Sequence, residues 1–399
     1  MSSMVNGWAH AVNGQRCQPQ VVQQNDFTAD LNYYFNNQVQ LHREEIKKSV
    51  ATTLPIVRDI LDYIHSQDPR FNSEGVYVGS YWSGLKVERP DEFDISVPLN
   101  IPETFSWVPS EQCYFNVSPY DTTKLVRTDV PLPEPPTGYT RPKYNGNNQT
   151  WLNHPSPPLV FDNHLISLYV KNAFKKYLRD AVRALNMRGQ VTVSRKEAGP
   201  ALTIYIQRPG YRDPISVDFA PLLRIGISFP SRVQWPRSGK AWPPREKVEK
   251  IMSMGINFTA KRDLEWYYSF AEAEKELTAQ MDKEGENTNR KKLHRIMKKL
   301  THDVWCPGQK PVLTSYILKN VLFWECEDFP RPRDWENDAM WERFCSLTNR
   351  LQRALSSRQL QLYFYPEVNL LKQEDGAKYD AVIQNIRRFM ENPAGFLRQ

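Results

Sequence analysis

Between Val78 and Val97 the chain reads Val-Gly-Ser-Tyr-Trp-Ser-Gly-Leu-Lys-Val-Glu-Arg-Pro-Asp-Glu-Phe-Asp-Ile-Ser-Val, and the second half of this stretch limits what the protein can fold into. Phe93, Ile95 and Val97 alternate with Glu92, Asp94 and Ser96. A period of two marks a strand with one buried face. Successive side chains on a strand point to opposite sides, so Glu92 and Asp94 share the other face. Two carboxylates on one edge concentrate negative charge. A hard divalent cation such as Mg²⁺ relieves it, taking oxygen ligands and nucleotide phosphates together. Just upstream, the Gly79-Ser80 turn offers backbone N–H groups and a hydroxyl to a phosphate. A second segment supplies a third acid: Ile215, Val217 and Phe219 alternate with Ser216, Asp218 and Ala220. Three acids from two neighbouring strands can hold two metal ions and activate a hydroxyl for in-line attack. Each piece alone also fits an ordinary turn or a solvated strand face. Their order along one chain points to a phosphoryl-transfer site.

These residues carry a resemblance. Gly-Ser, then Pro-Asp-Glu-Phe-Asp-Ile, then Ile-Ser-Val-Asp resembles the nucleotidyltransferase core of the Mab-21 family, and within it cyclic GMP–AMP synthase and the cGAS-like receptors. Three downstream segments extend it: Tyr268-Ser-Phe-Ala-Glu-Ala-Glu-Lys-Glu-Leu, Ser315-Tyr-Ile-Leu-Lys, and Leu362-Tyr-Phe-Tyr-Pro-Glu-Val-Asn-Leu-Leu. The resemblance implies an α+β fold: a bilobal nucleotidyltransferase of the DNA polymerase β type, with a mixed-sheet catalytic lobe and a helical C-terminal lobe. It implies Glu92, Asp94 and Asp218 as catalytic residues and as ligands of two Mg²⁺ or Mn²⁺ ions. Gly79 and Ser80 are then expected on the donor triphosphate, and Lys298 on a phosphate. Tyr316 is expected to stack on a base, with Ser315 and Lys319 nearby. One departure stands out. The family's Trp-Arg-Leu-Ser is Trp266-Tyr-Tyr-Ser here, so Tyr267 replaces an arginine that helps to select a base. The zinc-binding insertion of vertebrate cyclic GMP–AMP synthase, absent from the cGAS-like receptors that respond to RNA, has no counterpart either. The matching stretch after Thr278 contains neither Cys nor His, so no structural zinc is expected.

The 399 residues are ample for two lobes. No apolar run is long enough for a membrane span, and the N-terminus lacks the features of a secretory signal. Cys17, Cys113, Cys306, Cys326 and Cys345 are widely spaced and odd in number, as expected of reduced thiols in a cytoplasmic protein. Residues 1–25 read as a flexible tail, 26–230 as a spine helix with the catalytic lobe, and 231–399 as the helical lobe. A kinked helix is expected over about Leu31 to Ser66, and another over about 163–186. Strands are expected near 190–195, 201–207 and 215–222, with mainly helix from Glu246 onward. Eight prolines between Pro131 and Pro158 mark an extended loop.

A net charge of +7 favours a polyanionic partner. Lys171, Lys175, Arg179 and Arg183 recur every fourth residue on one helix and form a stripe. Lys47 and Lys48 add charge on the spine helix, and Arg290, Lys291, Lys292, Arg295, Lys298 and Lys299 form a second cluster. Such spacing suits phosphates along a duplex rather than base edges. By resemblance, the expected function is a nucleic-acid-activated synthase of a cyclic dinucleotide (cGAMP-like) from ATP and/or GTP in innate immune sensing, its product acting on a STING-like receptor. Lack of the zinc insertion tilts the expected activator to double-stranded RNA ahead of double-stranded DNA. The rival readings are a non-catalytic Mab-21-type scaffold that binds nucleotide or protein, and a DNA-sensing or oligoadenylate-type nucleotidyltransferase.

Overall fold

A computed structural model of the chain describes residues 26–399 apart from 41–42, 88–90, 102–106, 109–112, 114, 123, 145–148, 153, 156–157, 196–200, 225–227, 231–232, 262, 280, 283–286 and 308–311. The expected tail, 1–25, with Cys17, lies outside the described residues, as do parts of the proline-rich stretch.

An eight-stranded mixed sheet positions the three acids. Its strands are β1 (Val76–Val78), β2 (Glu92–Pro98), β3 (Tyr139–Thr140), β4 (Val191–Val193), β5 (Leu202–Ile206), β6 (Ile215–Arg224), β7 (Asn257–Ala260) and β8 (Trp266–Ser269). The order is β1-β2-β6-β7-β8-β3, with β5 pairing the first half of β6 and β4 pairing β5. β1 and β2 form an antiparallel hairpin, whereas β2 and β6 are parallel. A parallel pair needs a long crossover, and here it includes the helix Ser167–Ala184.

The alternation read from the sequence is the alternation of burial around the acids, over Glu92–Ile95 and Ile215–Ala220, whereas Ser96 is buried on the polar side. Phe93, Ile95, Val97, Ile215, Val217 and Phe219 lie in the core, and Glu92, Asp94 and Asp218 face away from it. Phe174, on Ser167–Ala184, covers the apolar face of the sheet, with its ring 6.0 Å from Phe219 and 5.4 Å from Phe71. Burying each such side chain contributes roughly 1.5–3 kcal/mol.

The helices that matter for the site are α1 (Thr28–Tyr34, continued to Val39 as a wider turn), α2 (Arg43–Gln67), α3 (Gly79–Trp82), α4 (Ser167–Ala184), α5 (Arg245–Ser253), α6 (Ala271–Ala279), α7 (Arg290–Leu300), α8 (Ser315–Asp328), α9 (Met340–Ser357) and α10 (Gly376–Glu391). The spine is therefore α1 followed by α2, with Pro55 inside α2. Beyond Glu246 the chain is not helical throughout. β7 and β8 return to the sheet that carries the acids, and their Phe258, Ala260 and Trp266 are buried in its core. Both strands are four residues long, too short to show a clear period.

The Leu362–Leu371 segment is architectural. Tyr363, Phe364 and Tyr365 are buried, and Phe364 stacks on Phe270, at the end of β8, at 5.0 Å. Asn369 holds the loop closed by accepting from Leu360 N and Leu371 N and donating to Arg358 O. Among the described residues no helix is long and apolar enough to cross a membrane, and Cys113, Cys306, Cys326 and Cys345 form no disulfide with one another.

Candidate active site

Parallel pairing sets the geometry of the acids. Ser216 is in register with Glu92, and Asp218 with Asp94. Neighbouring strands lie about 4.8 Å apart, so Asp94 and Asp218 stand side by side on the polar face with Glu92 one step along. On the other side of β2, Val78 is the register partner of Asp94. The chain then turns at Gly79 directly over the Asp94 carboxylate. Gly79 has φ +82°, and a Cβ there would overlap Asp94 Oδ2. This position demands glycine twice, for its backbone angle and for the close approach.

The loop after Gly79 is compact. Gly79–Trp82 is one helical turn, Leu85 N donates to Ser80 O at 2.8 Å, and Ser83, Leu85, Lys86 and Val87 are buried. Residues 88–90, between this loop and β2, lie outside the described residues.

Two groups not singled out from the sequence engage the acids. Lys86 Nζ lies 2.7 Å from Glu92 Oε2 and 3.6 Å from Asp91 Oδ1. Thr203, the register partner of Asp218 on β5, donates its hydroxyl to Asp218 Oδ1 at 2.6 Å. The signal for Lys86 was its place six residues before Glu92 on the same connection. For Thr203 there was none, because cross-strand pairing is not written in a linear sequence.

The electrostatics follow. Burial, then the charges of Glu92 and Asp218, push Asp94 up to about 6 against the pull of Lys319 and Lys86. Burial also raises Asp218, and Glu92 adds to it, while the Thr203 hydrogen bond works the other way. Burial raises Glu92 too, but the charge and hydrogen bond of Lys86, helped by Lys298, outweigh it and hold this carboxyl below its ordinary range.

Lys298 and Lys319 thus reach the acids from the helical half of the molecule. Lys319 also donates to the buried Glu274 and sits 5.1 Å from the centre of the Tyr316 ring. Tyr316 is half-buried. Burial, then Glu274 and Tyr267, raise its hydroxyl well above the ordinary tyrosine range. Ser315 is exposed at the first turn of α8. Tyr267, which stands where the family has arginine, has Lys261 4.0 Å above its ring and Tyr139 at 4.9 Å.

The expected nucleic-acid residues are spread more widely. Lys47 is exposed and paired with Glu44, and Lys48 is exposed. Along α4 the stripe winds from inside to outside: Lys171 is buried, Lys175 half-buried, and Arg179 and Arg183 exposed. The cluster on α7 is partly covered. Lys292 bonds Asn32, and Arg295 packs 4.9 Å from the Phe35 ring and donates to Val39 O.

An all-oxygen donor set whose repulsion the neighbouring lysines offset only in part suits Mg²⁺ or Mn²⁺, and the placement of Asp94 beside Asp218 fits such an ion. In this conformation Glu92 is turned to Lys86. Among the described residues no group of three or more His, Cys, Asp and Glu side chains converges on one point.

Comparison with known proteins agrees with the fold. Residues 81–280 match the Mab-21 protein nucleotidyltransferase domain, and residues 289–388 the Mab-21 protein HhH/H2TH-like domain. The chain is 29% identical to Protein mab-21-like 3 of Danio rerio, over 92% of this chain and 98% of the relative. It is 27% identical to Protein mab-21-like 3 of Xenopus laevis, over 92% and 96% respectively. With both domains matched in order, the chain belongs to the Mab-21 family of nucleotidyltransferase-domain proteins.

Proposed function

We propose that this protein is a metal-dependent nucleotidyltransferase that joins two nucleoside triphosphates, ATP and/or GTP, and closes them into a cyclic dinucleotide. The observation that carries the reading is the in-register pair Asp94 and Asp218, with Glu92 on the same face. Charge on this face is costly for the fold and useful for catalysis. Mg²⁺ or Mn²⁺, when bound by Glu92, Asp94 and Asp218, polarises the phosphates and stabilises developing charge. The remaining work belongs to the chain. Thr203 holds Asp218 Oδ1, leaving Oδ2 to take the proton of the attacking ribose hydroxyl. The ribose oxygen bonds the α-phosphorus in line, the α–β bridging bond breaks, and pyrophosphate leaves. The Gly79–Ser80 turn, Lys298 and Lys319 surround the triphosphate, and Tyr316 with Ser315 borders the base. A second attack of the same kind closes the ring. The activator in this reading is duplex RNA ahead of duplex DNA, the setting cytoplasmic innate sensing, and the product's target a STING-like receptor.

A second reading, a nucleotide-binding scaffold without catalysis, draws on a specific observation: Glu92 is tied to Lys86 rather than turned to its neighbouring acids. One experiment separates the two. The purified protein is incubated with radiolabelled NTPs and Mg²⁺ or Mn²⁺, with and without duplex RNA or DNA, and the products are resolved. Cyclic product that disappears in Glu92→Gln/Asp94→Asn and in Asp218→Asn supports the enzyme. NTP binding with no product under any condition supports the scaffold.

A further inference from the structure

Lys86 is a buried lysine whose ammonium lies between two carboxylates, Asp91 and Glu92. Its side chain is 10% exposed, whereas that of its partner Glu92 is 48% exposed. A desolvated lysine requires an acceptor, and this one has two carboxylates within reach, Glu92 at 2.7 Å and Asp91 at 3.6 Å. The arrangement is asymmetric. Glu92 opens to solvent and can change partner, while Lys86 can leave Glu92 without losing every acceptor, because Asp91 remains. Glu92 therefore stands between two cations, one built into the chain and one from solution.

We infer that Lys86 is an exchangeable counter-ion of Glu92, competing with a divalent cation for that carboxylate. Entry of a metal–nucleotide moves the ammonium onto Asp91 and a phosphate oxygen. This rests on the metal-dependent reading above and adds a regulatory consequence. The free protein binds divalent cations weakly, and nucleotide and metal enter together. A phosphate compensates the displaced lysine, so each raises the affinity for the other.

The test is Mn²⁺ binding followed by the electron paramagnetic resonance of free Mn²⁺, with and without a non-hydrolysable NTP analogue. Lys86→Met and Lys86→Gln, which remove the competitor, are expected to bind Mn²⁺ about tenfold or more tighter without nucleotide. In these variants the analogue should improve Mn²⁺ affinity less than it does in wild type. Lys86→Arg keeps the competitor and gives no gain. Asp91→Asn removes the alternative acceptor and weakens Mn²⁺ binding, which tests the exchange in a variant that retains Lys86. Unchanged or weaker Mn²⁺ binding in a folded Lys86→Met or Lys86→Gln protein, beside clear binding by wild type, overturns the exchange and leaves the metal-dependent reading standing. No Mn²⁺ binding by any of these proteins, with or without the analogue, overturns both.

Discussion

Asp218 stands directly across from Asp94 on a parallel strand, each the other's register partner, with Gly79 folded over the second of them. Two carboxylates so placed repel each other, and the effect on Asp94 is large: burial, Glu92 and Asp218 push it up to about 6. The fold bears this cost. Asp94→Asn keeps the shape and removes one charge, so in metal-free buffer near pH 7.5 it is expected to stabilise the protein by roughly 1–3 kcal/mol. Thermal melting of the two proteins with EDTA checks this. A lower melting temperature for the variant would show that the site is not under electrostatic strain.

Gly79 is where a single methyl group would do most harm. Its φ of +82° is disfavoured for any other residue, and the added Cβ would overlap the Asp94 carboxylate. Gly79→Ala is expected to cost about 1–3 kcal/mol through the backbone alone. It should also displace Asp94 and weaken Mn²⁺ binding. Gly84, also at positive φ, has only Lys291 atoms near its would-be Cβ, at 3.7 Å. Gly84→Ala should therefore lose stability without the same loss of metal affinity. Equal metal affinities for the two variants would contradict the steric argument.

The acids were legible because alternation of apolar and polar residues is a local signal, and β2 and the first half of β6 carry it. That the two strands are neighbours was expected from the resemblance, but their direction and register were not legible. Parallel adjacency of β2 and β6 is a non-local fact, and with it come the partnership of Asp94 and Asp218 and the bond from Thr203. The two strands beyond Glu246 were missed because four residues cannot show a period, and because they contribute buried aromatic and small side chains as a helix could. The basic stripe on α4 was legible as a spacing but not as a surface. A four-residue step drifts around a helix, which takes Lys171 into the core and leaves Arg179 and Arg183 outside. The α7 cluster was legible as charge, but its cover by Asn32 and Phe35 depends on how α1 packs.

Thr203 offers a test of positioning. Its hydroxyl donates to Asp218 Oδ1 at 2.6 Å from a buried site. Thr203→Val keeps the shape and removes the donor, at an expected cost of about 1–2 kcal/mol. If Asp218 acts as the proton acceptor, the loss should fall on kcat more than on KM, and Thr203→Ser should restore much of it. A variant with wild-type kcat would place Thr203 among residues that serve only the strand.

His294 sets an acid limit to stability. It is buried on α7, and burial, then the charges of Lys298 and Lys319, push its imidazole down to about 3. The folded state thus holds it neutral, whereas the unfolded chain protonates it near pH 6.5. Its contribution is fully present above pH 6.5 and is lost as pH falls toward 3. The expected slope in that window is about 1.4 kcal/mol per pH unit. Asp94, raised to about 6, works in the opposite direction below that pH, so the His294 contribution is read as a difference. Denaturant melts at pH 7, 6 and 5 should show His294→Gln losing less stability on acidification, or gaining more, than wild type. An identical pH dependence in the variant would assign the decline to other groups.

Within the α4 stripe, the exposed end is the part open to a duplex. Arg179 and Arg183 are one turn apart and open to solvent, and among the described residues Arg183 pairs with Asp180, at 3.5 Å. Lys171 is buried on the same helix, which supplies an internal control. Arg179→Glu with Arg183→Glu should weaken duplex RNA binding at all sequences alike. Each arginine that neutralises a phosphate in wild type should, once replaced, also lower the slope of log affinity against log salt by about 1. Lys171→Met should change stability and leave the salt slope as in wild type. Fluorescence anisotropy with a labelled duplex at four salt concentrations measures all three proteins. If the double variant and wild type share one slope, the duplex meets the protein elsewhere on the surface. If wild type binds neither duplex RNA nor duplex DNA, activation by nucleic acid is excluded.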